Sequence, residues 1–146
     1  MACIGLISDT HGLLRPRALE ALAGSDLIIH AGDVGDPAIL EALRRIAPLT
    51  AVRGNIDKAE WAPLLPETAV VEDIYVLHNL HDLALDPAAG GFRAVVSGHS
   101  HKPGSFQRNG VLYINPGSAG PRRFRLPVTV ARLDTGAWNV ELMAVE

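Results

Sequence analysis

The sequence predicts an α/β protein in which two sheets pack face to face with helices outside. Three observations carry that expectation. The first half of the chain alternates short aliphatic or β-branched runs with longer segments of helical periodicity, as parallel βαβ units do. The second half is mostly strand and turn, and polar residues of metal-ligand type recur where the strands end.

In chain order, residues 3–8 are the first predicted strand. Pro16 stands where a helix can begin, Leu19 and Leu22 give that helix an apolar face, and Gly24 ends it. Residues 27–30 are a second strand, 37–46 a second helix with Ile39, Leu40 and Leu43 on one side, and 49–53 a third strand. Helices of about ten residues are too short to stand on propensity, so packing must hold them. Residues 68–71 and 74–78 read as strands joined by the Glu72-Asp73 corner, 80–89 as a short helix, and 94–97 as a strand. Residues 105–108 and 111–115 form a hairpin about Asn109-Gly110, and 128–133 and 138–144 another about Thr135-Gly136. No internal repeat, low-complexity tract or charge run interrupts them, and residues 1–146 read as one domain.

Composition narrows the function classes. Thirteen Lys and Arg against sixteen Asp and Glu give a net charge of −3, without the basic excess of a dedicated nucleic-acid binder. That balance repels anionic membrane surfaces, and a small phosphate ester would need a locally positive site. The single cysteine, Cys3, excludes an intrachain disulfide and suits a reducing compartment. No apolar stretch approaches the roughly 20 residues that span a bilayer, and no basic region precedes the first apolar run. The expected location is cytoplasmic. Homo-oligomer formation is left open, since Trp61 and Trp138 suit either core or interface.

Of six histidines, His78, His81, His99 and His101 fall close together in the chain. Asp9 and His11 follow the first strand, Asp33 and Asp36 the second, Asn55 and Asp57 the third, His78 the fifth, and His99 and His101 the run Val95-Val96-Ser97. In α/β sheets, ligands bind beyond the carboxyl ends of strands, so residues distant in sequence can converge there. Carboxylate oxygen and imidazole nitrogen suit divalent transition metals, and a carboxylate can bridge two of them. Asp9, His11, Asp33, Asn55, His78, His99 and His101 are too many for one tetrahedral zinc, and with one shared they suit two ions. Singly, each has a plain structural reading: Asp-Xaa-His is usually a turn, Asn55 after Gly54 is a turn residue, and Asp33 is a helix cap, for which Asp36 is better placed. Gly98-His99-Ser100-His101 is the segment packing explains least.

Taken together, Asp9-Thr10-His11-Gly12, Gly32-Asp33-Val34-Gly35-Asp36, Gly54-Asn55-Ile56-Asp57, His78, Gly98-His99-Ser100-His101 and Asn115-Pro116-Gly117-Ser118 resemble the calcineurin-like metallophosphoesterase superfamily. The last of these segments, the small size and Asp57 are most similar to its YfcE-type phosphodiesterase branch. The resemblance implies a four-layer α/β/β/α sandwich of two mixed β-sheets flanked by helices. It implies one metal on Asp9, His11, Asp33 and His101 and a second on Asp33, Asn55, His78 and His99, with Asp33 bridging. His30, Asp36 and Asp57 would orient ligands, although His30 suits the core equally well. The cofactor expected is a pair of divalent ions, Mn²⁺ first, with Ni²⁺, Fe²⁺, Zn²⁺ or Co²⁺ accepted by the same donors.

Three departures from the superfamily pattern stand out. Ile56 occupies the position where many members carry a histidine thought to protonate the leaving group, a histidine the YfcE-type branch commonly lacks too. The usual His-Gly-His is replaced by His78-Asn79-Leu80-His81. His78 takes the ligand role because it ends the strand, and His81 is left as a substrate-side or acid/base group. The chain also has little room for a substrate-capping insert. The expected activity is a dinuclear-metal phosphodiesterase acting on a small phosphate ester. Water held between ions about 3.5–4 Å apart would attack phosphorus directly, with Asp33, Asn55 and His81 in the catalytic set. Arg122, Arg123 and Arg125 are candidates for phosphate contacts, against the commoner reading of a solvated loop. Two other readings are a non-catalytic interaction scaffold of the same fold, as in the retromer subunit Vps29, and a single-metal amidohydrolase-like enzyme. The complete donor set disfavours the former, and Asn55 as a ligand disfavours the latter.

Overall fold

A computed structural model describes residues 2–58, 60–123 and 125–146. The first sheet contains β1 (Cys3–Ile7), β2 (Leu27–His30), β3 (Leu49–Ala51), β9 (Thr129–Asp134) and β10 (Asn139–Ala144), in the order β10-β9-β1-β2-β3. The second contains β4 (Thr68–Val71), β5 (Ile74–Leu77), β6 (Ala94–Val96), β7 (Gly104–Arg108) and β8 (Val111–Asn115), in the order β4-β5-β6-β8-β7. Both sheets are mixed, as expected.

The halves of the sequence are not the two sheets. β5, β6 and β8 run parallel, and only β4 and β7 at the edges are antiparallel. The C-terminal hairpin β9-β10 leaves that sheet and pairs antiparallel with β1, with Leu6 opposite Ala131. Strand text alone does not reveal a partner, because pairing is settled by which apolar face finds a match.

Helices α1 (Pro16–Leu22) and α2 (Pro37–Arg44) cover the outer face of the first sheet. Ala18, Leu22, Ile39, Leu40 and Leu43 bury there against Ile7, Ile28 and Val130. Between the sheets, Ile4, Leu6, Ile29 and Leu133 meet Ile74, Val76, Val96 and Ile114. Each such side chain contributes about 1.5–3 kcal/mol by leaving water. On the outer face of the second sheet, Leu77, Val95, Val111 and Tyr113 are covered by Tyr75, Leu80 and Leu83.

The helix expected over 80–89 is absent; this stretch holds a 3₁₀ turn at Leu80–Asp82 followed by turns. The side chain of Asn79 accepts from the His81 amide, and that of Asp86 accepts from the Ala88 and Ala89 amides, each of which favours a turn over continued helix. The fourth layer is therefore thin. Trp61 and Trp138 each pack half-buried against the core, and Trp138 carries the Arg93 guanidinium 4.9 Å from its ring centre. Among the described residues, no helix is long and apolar enough to cross a membrane.

The parallel strands β1, β2 and β3 send their carboxyl ends to one edge of the sandwich, where β5, β6 and β8 of the other sheet also end. Every predicted ligand lies on the loops at that edge.

Candidate metal centre

The loops after β1 and β2 are zipped together by backbone. The Asp9 amide donates to Gly32 O at 3.0 Å, His11 to Asp33 O at 2.9 Å, and Gly12 to Val34 O at 2.9 Å. The bends this requires put Asp9, Asp33, His11, His99 and His101 at φ of 53°, 56°, 47°, 71° and 64°. A left-handed conformation costs a residue with a Cβ about 1 kcal/mol or more, and it persists only where the surroundings enforce it. Five of the seven predicted ligands are held in that region, a concentration that packing needs do not account for.

Asp9 is fully buried, and its carboxylate is divided in function. Oδ2 accepts from Ser8 Oγ at 2.7 Å and from the His99 amide at 3.1 Å. Among the described residues Oδ1 has no hydrogen-bond donor, and it lies 3.4 Å from His101 Nε2, 3.8 Å from His11 Nε2 and 3.9 Å from His78 Nε2. Asp33 is divided the same way: Oδ1 accepts from the Ile56 amide at 3.0 Å, while Oδ2 faces His78 Nε2 at 3.2 Å and His11 Nε2 at 3.6 Å. His78 Nδ1 donates to Ala31 O at 2.7 Å, which fixes the ring so that Nε2 points inward. His11 Nε2 and His101 Nε2 lie 3.3 Å apart.

The inward side-chain atom of Asn55 lies 3.3 Å from His99 Nδ1, 3.0 Å from His78 Nε2 and 3.2 Å from both Asp33 oxygens. As an amide nitrogen it donates to these acceptors. As a carbonyl oxygen it faces acceptors only, an arrangement satisfied by a cation among them. Buried lone pairs without donors are costly, and a divalent ion is what such a donor set accommodates. Two groups converge closely enough to hold one: Asp9 with His11 and His101, and Asp9 with Asp33 and His78.

Charge follows the geometry. Burial alone would raise Asp33, but the hydrogen bond and charge of His78, the Ile56 amide and His11 hold it at about 2. His78 is opposed by burial yet raised overall by Asp33 and Asp9, whereas His101 is lowered by burial, with His11 and Arg123 adding to that. Beneath them, His30 is fully buried and pushed down to about 4 by desolvation. Thr10 Oγ1 donates to Val34 O, so His30 Nε2 donates to Thr10 Oγ1 at 3.0 Å and its Nδ1 accepts from the Gly32 amide at 3.1 Å. His30 is thus a neutral core residue under the ligand loops, and its hydrogen bonds go to Thr10 and Gly32 rather than to a predicted ligand side chain.

The other expectations divide. Asp57 accepts from the amides of Val34, Gly35 and Gly54, so it orients the loops that carry Asp33 and Asn55. Asp36 does not: it is exposed and caps α2 through the Ala38 amide at 2.9 Å, because the chain has already turned away from the site. Arg122 is tied to Glu146, outside the site, while Arg123 is close enough to His101 to bear on its charge. His81 is exposed on the 3₁₀ turn and lines a cavity shared with His99.

Sequence reasoning left Ser8, Asn115 and Ser118 without roles. Asn115 Nδ2 donates to Gly98 O at 3.0 Å and Ser100 Oγ at 3.1 Å, bracing the loop that carries His99 and His101. Ser118 Oγ donates to Asp9 O at 3.0 Å. Asn115 and Ser118 stood out only as members of the Asn115-Pro116-Gly117-Ser118 segment, and Ser8 only as a polar residue ending an apolar strand. Among the glycines that close approach requires, a Cβ on Gly98 would come within 2.6 Å of Asp9 Oδ2 and closer still to Ser8 Oγ, and one on Gly32, at φ +102°, within 2.7 Å of His78 Nδ1.

Residues 3–137 match the calcineurin-like phosphoesterase superfamily domain. A probable metallophosphoesterase of Methanothermobacter thermautotrophicus is 31% identical over 157 residues, covering 96% of this chain and 91% of that protein. Among solved structures, an archaeal phosphodiesterase superposes with a TM-score of 0.80 at 25% identity, covering 97% of this chain and 99% of its own. Vps29 of Chaetomium thermophilum shares the fold with a TM-score of 0.76 at 21% identity, covering 99% and 97%.

Proposed function

The chain belongs to the calcineurin-like phosphoesterase superfamily, and on that premise we propose that it is a dinuclear-metal phosphodiesterase acting on a small phosphate ester. The observation that carries this reading is the pair of divided carboxylates. Asp9 Oδ1 and Asp33 Oδ2 face inward among four histidine and amide groups, while their partner oxygens are fixed by Ser8, His99 and Ile56. In this reading Asp9, His11, Asp33 and His101 hold one ion, and Asp33, Asn55, His78 and His99 hold the other. Asp33 would serve both ions, which is supported by the approach of His11 and His78 to its carboxylate from two sides.

Two divalent ions, when bound, would supply the positive charge that the net −3 lacks and would lower the pKa of an attacking water. The chain's own part is positional. Ser8, Asp57, Asn115 and Ser118 hold the ligand loops through backbone and carboxylate contacts, so the donors are aimed before substrate arrives. The water oxygen bonds to phosphorus as the ester oxygen departs, and that departing oxygen needs a proton. His81 is assigned to deliver it, because Ile56 at the other candidate position is aliphatic. The scaffold reading of the same fold draws support from the likeness to Vps29, but it gives no reason to keep seven donors and five strained residues together.

Metal content after reconstitution with Mn²⁺, measured beside turnover of bis(p-nitrophenyl) phosphate, decides between the readings. About two ions per chain and metal-dependent turnover are expected; a protein that binds none and turns over nothing is a scaffold. In the active protein, His81→Ala should lower kcat by about 10²-fold on a dialkyl phosphate diester, whose alkoxide needs a proton to leave, with metal content unchanged and little loss on bis(p-nitrophenyl) phosphate. Full activity of that variant on the dialkyl diester would free His81 of the acid role.

A further inference from the structure

Two cavities open beside the candidate metal centre, and both are lined by Asn79 and His99. Their chemistry is opposite. The first, about 290 Å³, lies on the Asn55 side and is lined by Arg53, Glu67, Thr68 and Asp82. Its one guanidinium is already occupied, with Arg53 Nη2 2.9 Å from Glu67 Oε1, and Asp82 adds a second carboxylate. Apart from the donors Asn55, His78 and His99, which also line it, the lining therefore carries more negative than positive charge. The second, about 420 Å³, lies on the outer face of the second sheet, with Leu80, Phe106, Tyr113 and Ile114 in its wall. Among the described residues no carboxylate lines it, and Lys102 contributes a fixed cation.

Phe106 is the notable part of the second cavity. It is 46% exposed, and its ring lies parallel to that of Tyr113 with centroids 4.9 Å apart. Tyr113 is buried behind it and the Arg108 guanidinium lies 5.5 Å from the Phe106 ring centre, so the part of Phe106 still in water gains by covering, and a flat aromatic group covers it best. In the first cavity a further anion would be repelled by Glu67 and Asp82, whereas a polar neutral or cationic group would be accepted.

We propose, resting on the phosphodiesterase reading above, that the centre selects asymmetric phosphodiesters, with an aromatic arm in the Phe106–Tyr113 cavity and a polar arm free of negative charge in the Arg53–Glu67–Asp82 cavity. The phosphate sits where the cavities meet, beside His99. A monoester fills one cavity only, so the preference for diesters follows from shape as well as from the metals.

Each cavity can be blocked without touching the donor set. Gly104 lines the aromatic cavity, and a Cβ there meets no heavy atom within 4 Å, so Gly104→Trp fills the space from an edge strand. Thr68 is exposed on β4, the opposite edge strand, and Thr68→Trp fills the polar cavity. Substrates are methyl p-nitrophenyl phosphate, which has an aryl arm and almost no second arm, and p-nitrophenylphosphorylcholine, which has both. Gly104→Trp should lower kcat/KM on both by about tenfold or more, mainly through KM. Thr68→Trp should bring the choline ester down to the level of the methyl ester and leave the methyl ester unchanged. Phenylphosphonate, which cannot be hydrolysed, should bind the Mn²⁺-loaded protein more weakly in Gly104→Trp and equally in Thr68→Trp, as read by calorimetry. Gly104→Leu repeats the test with a smaller side chain, and metal content equal to the parent's certifies each variant. The proposal is overturned if both Gly104 variants match the parent in turnover and binding, or if Thr68→Trp depresses both substrates equally. A parent that holds its metal yet cleaves neither diester overturns the phosphodiesterase reading instead, while phenylphosphonate binding still reports on the aromatic cavity.

Discussion

Ile29 and Asp33 lie on one short stretch of chain, yet their surroundings obey opposite rules. Ile29, within β2, is fully buried between the sheets among Leu6, Val76 and Val96, in extended backbone that a β-branched residue prefers. Asp33, just past the strand end, is 2% exposed, holds φ at 56° and carries a charge out of water. The interior between the sheets is assembled from residues that satisfy themselves by touching. The carboxyl edge is assembled from residues that are strained, charged and incompletely hydrogen-bonded, and it stays assembled because the interior holds the strand ends in place. Stability and chemistry are thus separated along each strand by a few residues, and substitutions on either side should divide accordingly.

The sharpest test of that division is Asp33→Ala. It should reduce metal-dependent cleavage of an aryl phosphodiester by about 10³-fold or more, because both ions lose a ligand. Thermal stability of the metal-free protein should fall only modestly, because alanine keeps a Cβ at φ 56° and loses the Ile56 and His78 contacts that hold the carboxylate charged, while a buried charge is also removed. Retained turnover in this variant would defeat the two-metal reading. Ile29→Ala is the converse: a loss of about 2–5 kcal/mol in urea unfolding, with kcat per folded molecule unchanged.

His30 tests whether the layer beneath the loops belongs to the interior. Its pKa is lowered from 6.5 to about 4, so the unfolded chain takes up the proton first. The stability it contributes is present above pH 6.5 and lost as pH falls towards 4, by about 3 kcal/mol in all. His30→Gln should flatten stability against pH across that window, which chemical unfolding at several pH values measures. An unchanged slope would mean that His30 is not the buried neutral group described. The smallest effect is expected from Asn115→Ala. Loss of its contacts to Gly98 and Ser100 should cost about 1 kcal/mol in stability and relax the loop carrying His99 and His101. Metal affinity, followed by titration, should weaken more than the melting temperature falls.

How much of this was legible in the sequence varies by element. The turn at Asn109-Gly110 was, because φ of 53° and 78° is what that dipeptide is suited to. So were the strands of the first half, whose apolar runs alternate with short amphipathic helices in the pattern of parallel βαβ units. The helix expected over 80–89 was not formed, because Asn79 and Asp86 divert local backbone amides into turns. The ligand types were readable from carboxylates and imidazoles at strand ends, but the division of Asp9 and Asp33 into one fixed and one inward oxygen was not. That depends on a Ser8 hydroxyl, a His99 amide and an Ile56 amide arriving from three different loops.

By itself the sequence determined the elements that rest on local chemistry: short apolar strands, Pro-started helices, the Asn-Gly turn and the ordered set of donor residues. Only the tertiary structure decided that the last hairpin joins the first sheet beside β1, that Asp36 serves a helix while Asp57 serves the loops, and that two unlike cavities meet at His99. The physical reason is range. Propensity and periodicity act over a few residues, whereas sheet partnership, the aim of a carboxylate oxygen and the shape of a cavity are set by contacts between segments that the chain brings together only when it folds.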